Sequence, residues 1–372
     1  MLAYLLSSCS SQTETQVVES VLSEENMMRH AHNVRVSETS YGYLLEVRNP
    51  WDTTKMLGRY ALSGDTLSQS VLPSDVVPVV TPVQSVVAFS ATQWSVFKRL
   101  GEIGRVKGIL EGYYVGDTVI RNLMASGEIL DLGPEADADL ERIIRLQPDI
   151  ILYSPYFENN QESLKITGAV LFPFADYLEN TPLGRAEWLR VIGFLAGMPE
   201  KADAWFDEIE SKYTALKNLC DGAESRPTVF SDKAFNGQWY VAGGNSYIAR
   251  LFADAGADYI WKDNGSPASF PLDSETILSK AQHADYWRIA NAGFESMNYD
   301  DLERENPIYP LFDAFKNRKV LVCDTQKVGY FEQAQCEPDI LLADFIYFFH
   351  PECLVGAWKD YSPKYYHWLG VE

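Results

Sequence analysis

Basic residues are in short supply in this sequence. Thirty-one lysines and arginines stand against 52 aspartates and glutamates, a formal net charge of −21. A surface of that sign repels polyanions, so nucleic acid is excluded as a partner, and the charge itself serves chiefly solubility. Long apolar runs are lacking too: no stretch beyond the N-terminal tail reaches the roughly 18 apolar residues that span a bilayer. The five cysteines are an odd number without CxxC spacing, which excludes a zinc ribbon and a redox dithiol. The five histidines are scattered, with His30 and His32 in the tail and His283, His350 and His367 at helix boundaries. No HxxxH or cysteine–histidine spacing occurs, so no metal site is expected, and His350 and His367 read as surface or cap residues. GxGxxG after the first strand, GxxxxGK[ST] and GxSxG are all missing. Gly243-Gly244-Asn245-Ser246 reads as a turn before a helix capped by Asn245 or Ser246, not as a phosphate loop. The chain therefore does not read as an enzyme, and a metabolic enzyme on a two-lobed scaffold is the alternative, since fold alone does not fix function.

What the sequence does contain is enough apolar material for two cores: 372 residues, 46% of them hydrophobic. At the start, Leu2-Ala3-Tyr4-Leu5-Leu6 followed by Ser7-Ser8-Cys9 resembles the end of a bacterial lipoprotein signal, which makes Cys9 the lipidation candidate. Residues 10–30 are rich in Ser, Gln, Thr and Glu and read as a flexible tether, so residues 1–30 form one unit of signal remnant and spacer. Residues 31–80 form a small β extension, with Tyr41, Tyr43, Leu45 and Val47 alternating like a hairpin. At its end, residues 65–82 hold three prolines and read as a connector into the next segment.

From there β-branched runs alternate with helical segments. Ser85-Val86-Val87-Ala88-Phe89-Ser90 is a buried strand, residues 92–100 a helix and Val106-Lys107-Gly108-Ile109-Leu110 the next strand. This βαβ rhythm fills a first lobe, 81–182. Residues 183–220 are the longest helical pattern, interrupted by Gly197-Met198-Pro199, and read as one kinked helix or two abutting ones. A second lobe, 221–372, repeats the rhythm. The fold class is α/β, two Rossmann-like lobes joined by a backbone helix that restricts them to small closure.

Asp131-Leu132-Gly133, Leu140-Glu141-Arg142-Ile143, Gln147-Pro148-Asp149-Ile150-Ile151 and Glu337-Pro338-Asp339-Ile340-Leu341-Leu342-Ala343-Asp344, in this order on this layout, resemble the class III periplasmic binding proteins of ABC importers. The resemblance covers roughly residues 80–370. It implies a carrier for a ferric siderophore, haem or cobalamin, working with a dimeric ABC permease of the inner membrane, itself a monomer and lipid-anchored in the bacterial cell envelope. In that family one carboxylate on each lobe docks on the permease. The matching positions are Glu141 and Glu275, each at a helix start where the dipole keeps a carboxylate ionised. The competing role for both is that of first-turn acids serving their own helices.

Ligand contacts are expected on loops at the carboxyl ends of strands. Those loops carry Gln93, Trp94, Tyr113, Tyr114, Tyr153, Tyr156 and Phe157 in the first lobe. In the second they carry Phe235, Gln238, Trp239, Tyr240, Tyr330 and Phe331. Flat side chains with a polar tip suit a macrocycle or a catechol-like chelate, while for any single aromatic core packing is the competing role. The loops hold few cations, with Lys233 the nearest and Arg121, Arg185 and Arg288 unplaced, which points away from strongly anionic complexes and toward a corrinoid. A scavenger of the same fold without a permease is a further reading.

Overall fold

The computed structural model describes residues 25–156, 161–220, 222–223, 225–293 and 297–370. Cys9 and Phe157, and with them the lipidation and one ligand-contact assignment, lie outside these residues.

The N-terminal segment forms four strands in sequential order: β1 (Val34–Thr39), β2 (Gly42–Arg48), β3 (Met56–Ser63) and β4 (Val76–Val80). The first three pair antiparallel and β4 joins β3 in parallel. The stretch read as a connector thus contains a strand. Its Pro78 is tolerated because β4 is an edge strand, where a missing N–H breaks no ladder. This sheet is separate from those of the lobes, and Tyr60 ties it to the first lobe by donating from its hydroxyl to Leu171 O at 2.6 Å.

The first lobe is an all-parallel sheet of β5 (Val86–Ala88), β6 (Val106–Ile109), β7 (Leu130–Asp131), β8 (Ile150–Tyr153) and β9 (Val170–Pro173), in the order β7-β6-β5-β8-β9. Val86, Val87, Ala88 and Ile150, Ile151, Leu152 are wholly buried, as strands covered on both faces must be. In the second lobe, β10 (Thr228–Ser231), β13 (Asp258–Tyr259), β15 (Tyr286–Asn291) and β16 (Val320–Asp324) run parallel in the order β13-β10-β15-β16, closed by antiparallel β17 (His367–Trp368). A small three-stranded sheet, β11 (Ala234–Phe235), β12 (Gln238–Val241) and β14 (Phe270–Leu272), is appended to this lobe.

Two abutting helices, Pro182–Ala196 and Pro199–Cys220, join the lobes. Gly197, at φ 70°, ends the first in the left-handed conformation that glycine adopts without strain. A Cβ at Gly193 would fall 2.3 Å from that of Ala202, so the two helices cross at glycine contact. The first helix is buried nearly throughout, and its Glu187, fully buried, accepts hydrogen bonds from the amides of Arg29, His30 and Ala31 at 2.7–2.8 Å. Glu179, just before this helix, accepts from His32 and Asn33 N–H and from Trp188 Nε1. Two buried carboxylates therefore clamp residues 29–33 onto the back of the molecule, so Arg29 and His30, expected in the tether, are bound. At the other end Asp344 accepts from the amides of Lys364, Tyr365 and Tyr366 at 2.7–3.0 Å and pins the C-terminal segment.

Candidate functional site: the interlobe cleft

In open α/β sheets a ligand lies at the carboxyl ends of the strands, where the strand order reverses. In the first lobe that point is between β5 and β8, and the residues following them, Phe89-Ser90-Ala91 and Ser154, wall one side of a cavity of about 560 Å³. The opposite wall is Ala290-Asn291-Ala292 at the carboxyl end of β15, with Thr325 and Gln326 after β16. Arg185, from the first joining helix, and Asp176 also line the cavity. The space lies between the lobes, is built from strand ends of both, and has the size of ordinary small-molecule sites.

Of the aromatics expected here, Trp94, Tyr114, Tyr156 and Phe331 line the cavity. Trp94 is almost completely buried and closes the inner wall, whereas Phe331 stands exposed at the rim. Tyr156 lies against Tyr177, ring centres 5.7 Å apart, and its hydroxyl points at Glu135 Oε2 at 3.5 Å. Tyr113 packs on Tyr114 at 4.1 Å but is itself 61% exposed and outside the cavity wall. Tyr330 is buried behind the cleft, its hydroxyl 3.1 Å from that of Tyr247.

Three of the others, Gln93, Tyr153 and Trp239, are built into the fold. Gln93 is fully buried and accepts from the amides of Phe89 and Ser90 at 2.8 and 3.2 Å, completing a capping box with Ser90. That Ser-x-x-Gln pattern was present in the sequence and identifies a helix start. Tyr153 packs in the apolar cluster of Val87, Leu132 and Ile151, where burial pushes its hydroxyl up to about 12. Trp239 is fully buried, packs with Phe230 and Trp287, and donates from Nε1 to Ser231 O at 3.0 Å. Phe235, Gln238 and Tyr240 stand exposed on the small three-stranded sheet and are absent from the cavity wall.

The three unplaced arginines separate cleanly. Arg185 reaches the cleft, stacking over Tyr247 at 4.8 Å. Arg288 is buried in the second lobe against Asp232 at 2.9 Å and Tyr366 at 2.8 Å, and Arg121 turns to Val115 O at 2.6 Å. Lys233 pairs with Glu305 at 2.5 Å. The polar groups that sequence did not single out are the acids. Glu111, Glu135, Asp176 and Glu332 all line the cavity. Burial raises Asp176 to about 6, opposed chiefly by Arg185, and burial together with neighbouring Glu111 raises Glu135.

Gly243 and Gly244 are packing positions. A Cβ at Gly244 would come within 2.4–2.5 Å of the carbonyl oxygens of Asn264, Trp261 and Lys262, and Ser246 caps the next helix by accepting from Ala249 N–H. Among the described residues no group of three or more His, Cys, Asp or Glu side chains is placed to hold a metal ion. His350 ends the helix Pro338–Phe349, buried, with Nε2 3.1 Å from Gly256 O. Glu141 and Glu275 lie in the first turns of Leu140–Leu146 and Ser274–Ala281, both exposed, Glu141 to 87%. No described helix is long and apolar enough to cross a membrane.

The periplasmic binding protein family matches residues 86–327. An uncharacterized lipoprotein of Methanocaldococcus jannaschii is 28% identical over 297 residues, 76% of this chain and 69% of that protein. A cobalamin-binding protein of Halobacterium salinarum is 25% identical over 189 residues, half of this chain and 47% of that one. In fold, the chain is similar to a periplasmic heme binding protein of Pseudomonas aeruginosa, with a TM-score of 0.58 at 17% identity over 78% of this chain and 99% of that one. It is likewise similar to an ABC transporter substrate-binding protein of Listeria monocytogenes, with a TM-score of 0.57 at 18% identity over 72% of this chain and 98% of that one. With both lobes, the joining helices and the cleft between them accounted for, the chain belongs to the periplasmic binding protein family.

Proposed function

We propose that this protein is the substrate-binding component of an ABC importer, capturing a metal chelate between its lobes and presenting it to a permease dimer. The observation that carries this reading is the cavity of about 560 Å³ walled by strand ends from both lobes. The cobalamin-binding and heme-binding names of the relatives support a corrinoid or haem as cargo, with a ferric siderophore as the third member of the class. Glu141 and Glu275 are the docking carboxylates, one on each lobe, and their exposure lets both meet cationic pockets. Cys9 carries the lipid and the residues that follow it the tether, holding a monomeric carrier at the surface of the membrane. The lipoprotein relative in Methanocaldococcus jannaschii is consistent with that anchoring.

The test is titration of the soluble domain with cyanocobalamin, hemin and a panel of ferric siderophores, read by tryptophan quenching and calorimetry. Trp94 forms part of the cleft wall, so a bound chromophore quenches it. One-to-one binding of one chelate is expected. Silence across the panel overturns the carrier reading and favours an enzyme on this scaffold.

A further inference from the structure

The small three-stranded sheet of the second lobe has one sealed face and one open face. On the sealed side Trp239 and Val241 are fully buried, and Trp239 packs against Phe230, Trp287, Tyr309 and Phe312. Side chains alternate along a strand, so Gln238 and Tyr240 point the other way. The register sets Phe235 opposite Gln238 and Pro271 opposite Tyr240, which puts all four on the open face. All four are exposed, Phe235 to 68% and Tyr240 to 47%, and the Tyr240 hydroxyl donates to Gln238 Oε1 at 3.1 Å along that face.

The open face is held rigidly. Asn236 and Gly237, at φ 52° and 80°, make the two-residue turn between β11 and β12, where Asn-Gly suits the left-handed backbone. Ala234 N–H donates to Tyr309 Oη at 3.1 Å and Trp239 Nε1 to Ser231 O at 3.0 Å, fixing the hairpin to the lobe. Aromatic rings held in place and left in water have the character of a binding anchor, because they bury a large apolar area at little entropic cost when a partner arrives.

The surroundings of the face bear on which partner that is. None of the four residues lines the interlobe cavity, so the face is no wall of the ligand site. β14 ends at Leu272, Asp273 caps the helix Ser274–Ala281, and Glu275 stands in its first turn. This helix packs against β12, so the rings and the carboxylate belong to one rigid unit. A net charge of −21 sets the chain against an anionic bilayer, and a two-fold contact between copies through this unit would bring its acidic helix start against itself.

Resting on the docking role given to Glu275 above, we propose that Phe235, Tyr240 and Pro271 form an apolar anchor beside it, seated against an apolar patch of the same permease subunit. The carboxylate sets orientation and the aromatic pair holds the contact.

Benzoylphenylalanine in place of Phe235 in the full-length chain, irradiated in cells, is expected to cross-link to a membrane subunit that co-purifies with an ATP-hydrolysing subunit. Glu275→Gln should weaken that cross-link about fivefold or more. The same photoreactive residue in place of Ile144, exposed one helical turn beyond Glu141, reports docking independently of the small sheet. The double variant Phe235→Ala, Tyr240→Ala should lower the cross-link from position 144 by on the order of tenfold, as loss of aromatic anchors requires, at an unchanged melting temperature. A cross-link from position 144 with none from position 235, or one that the double variant leaves at full strength, overturns the anchor while leaving the carrier reading in place. Capture of lipid or of a second copy alone at position 235 overturns it as well. Failure of both positions to capture a membrane subunit overturns delivery to a permease, and the anchor with it.

Discussion

Glu332 of the second lobe accepts a hydrogen bond from the amide of Gly116 in the first, at 2.6 Å, and the amide of Asp117 reaches the same oxygen at 3.3 Å. Both amides head the helix Thr118–Ser126, where the dipole adds to their attraction for a carboxylate. Glu332 also lines the cavity, so this bond links the walls of the cleft directly.

Glu332→Ala is therefore expected to speed dissociation of the bound chelate. Hydrogen bonds to charged groups contribute about 1.5–3 kcal/mol, and partial exposure of Glu332 places this one near the lower end, equivalent to roughly tenfold in rate. Stopped-flow displacement measures it. An unchanged off-rate would show that the latch does not hold the lobes.

The clamp on the N-terminal segment gives a stability prediction. Glu187→Ala strands three backbone amides and takes from the buried Arg190, whose Nη1 lies 2.9 Å from Glu187 Oε1, one of its two carboxylates, leaving it Asp203 alone. Loss of one partner from a buried ion pair costs about 3–5 kcal/mol. Urea unfolding of Glu187→Ala should show a loss in that range, with Glu187→Gln less damaged because it still accepts from the amides.

Asp339, in the first turn of the helix Pro338–Phe349, is raised by burial to about 6, with Lys212 only partly offsetting the effect. Its folded pKa lies above its unfolded one, so the folded state takes up a proton more readily. The cost of the ionised form is present above the folded value and vanishes below the unfolded value near 4. Asp339→Asn should thus stabilise the protein by on the order of 2 kcal/mol at about pH 8 and change little near pH 4. Thermal melts at the two pH values check this, and equal effects at both would contradict it.

For the docking carboxylates, the double variant Glu141→Gln, Glu275→Gln should abolish uptake into cells while chelate affinity stays within error. Both residues are exposed and absent from the cavity wall, which is why binding and delivery separate. Full uptake by the double variant would remove them from the permease contact.

Much of the architecture was legible because its signals are local. Wholly buried parallel strands such as Val86–Ala88 read as apolar runs, and Gly197-Met198-Pro199 marks the break between the joining helices. The edge strand Val76–Val80 was hidden because Pro78 is forbidden only where a ladder needs its N–H, and edge position is a property of the assembled sheet. The site was legible in position and only partly in composition. Trp94 and Trp239 both follow strand signals, yet one faces the cleft and the other is sealed in an aromatic core, a difference set by tertiary packing. Asp176 and Glu332 carry no motif. They became visible only when strand ends distant in sequence were brought to one cavity.

The most direct test of the account is to fill the cleft without touching the core. Ala292 is exposed on the cavity wall contributed by the second lobe. Calorimetric titration of Ala292→Trp against the native domain, with whichever panel chelate binds, should show at least about tenfold weaker binding at an unchanged melting temperature. Native-like affinity in the filled variant would place the ligand elsewhere and contradict capture between the lobes.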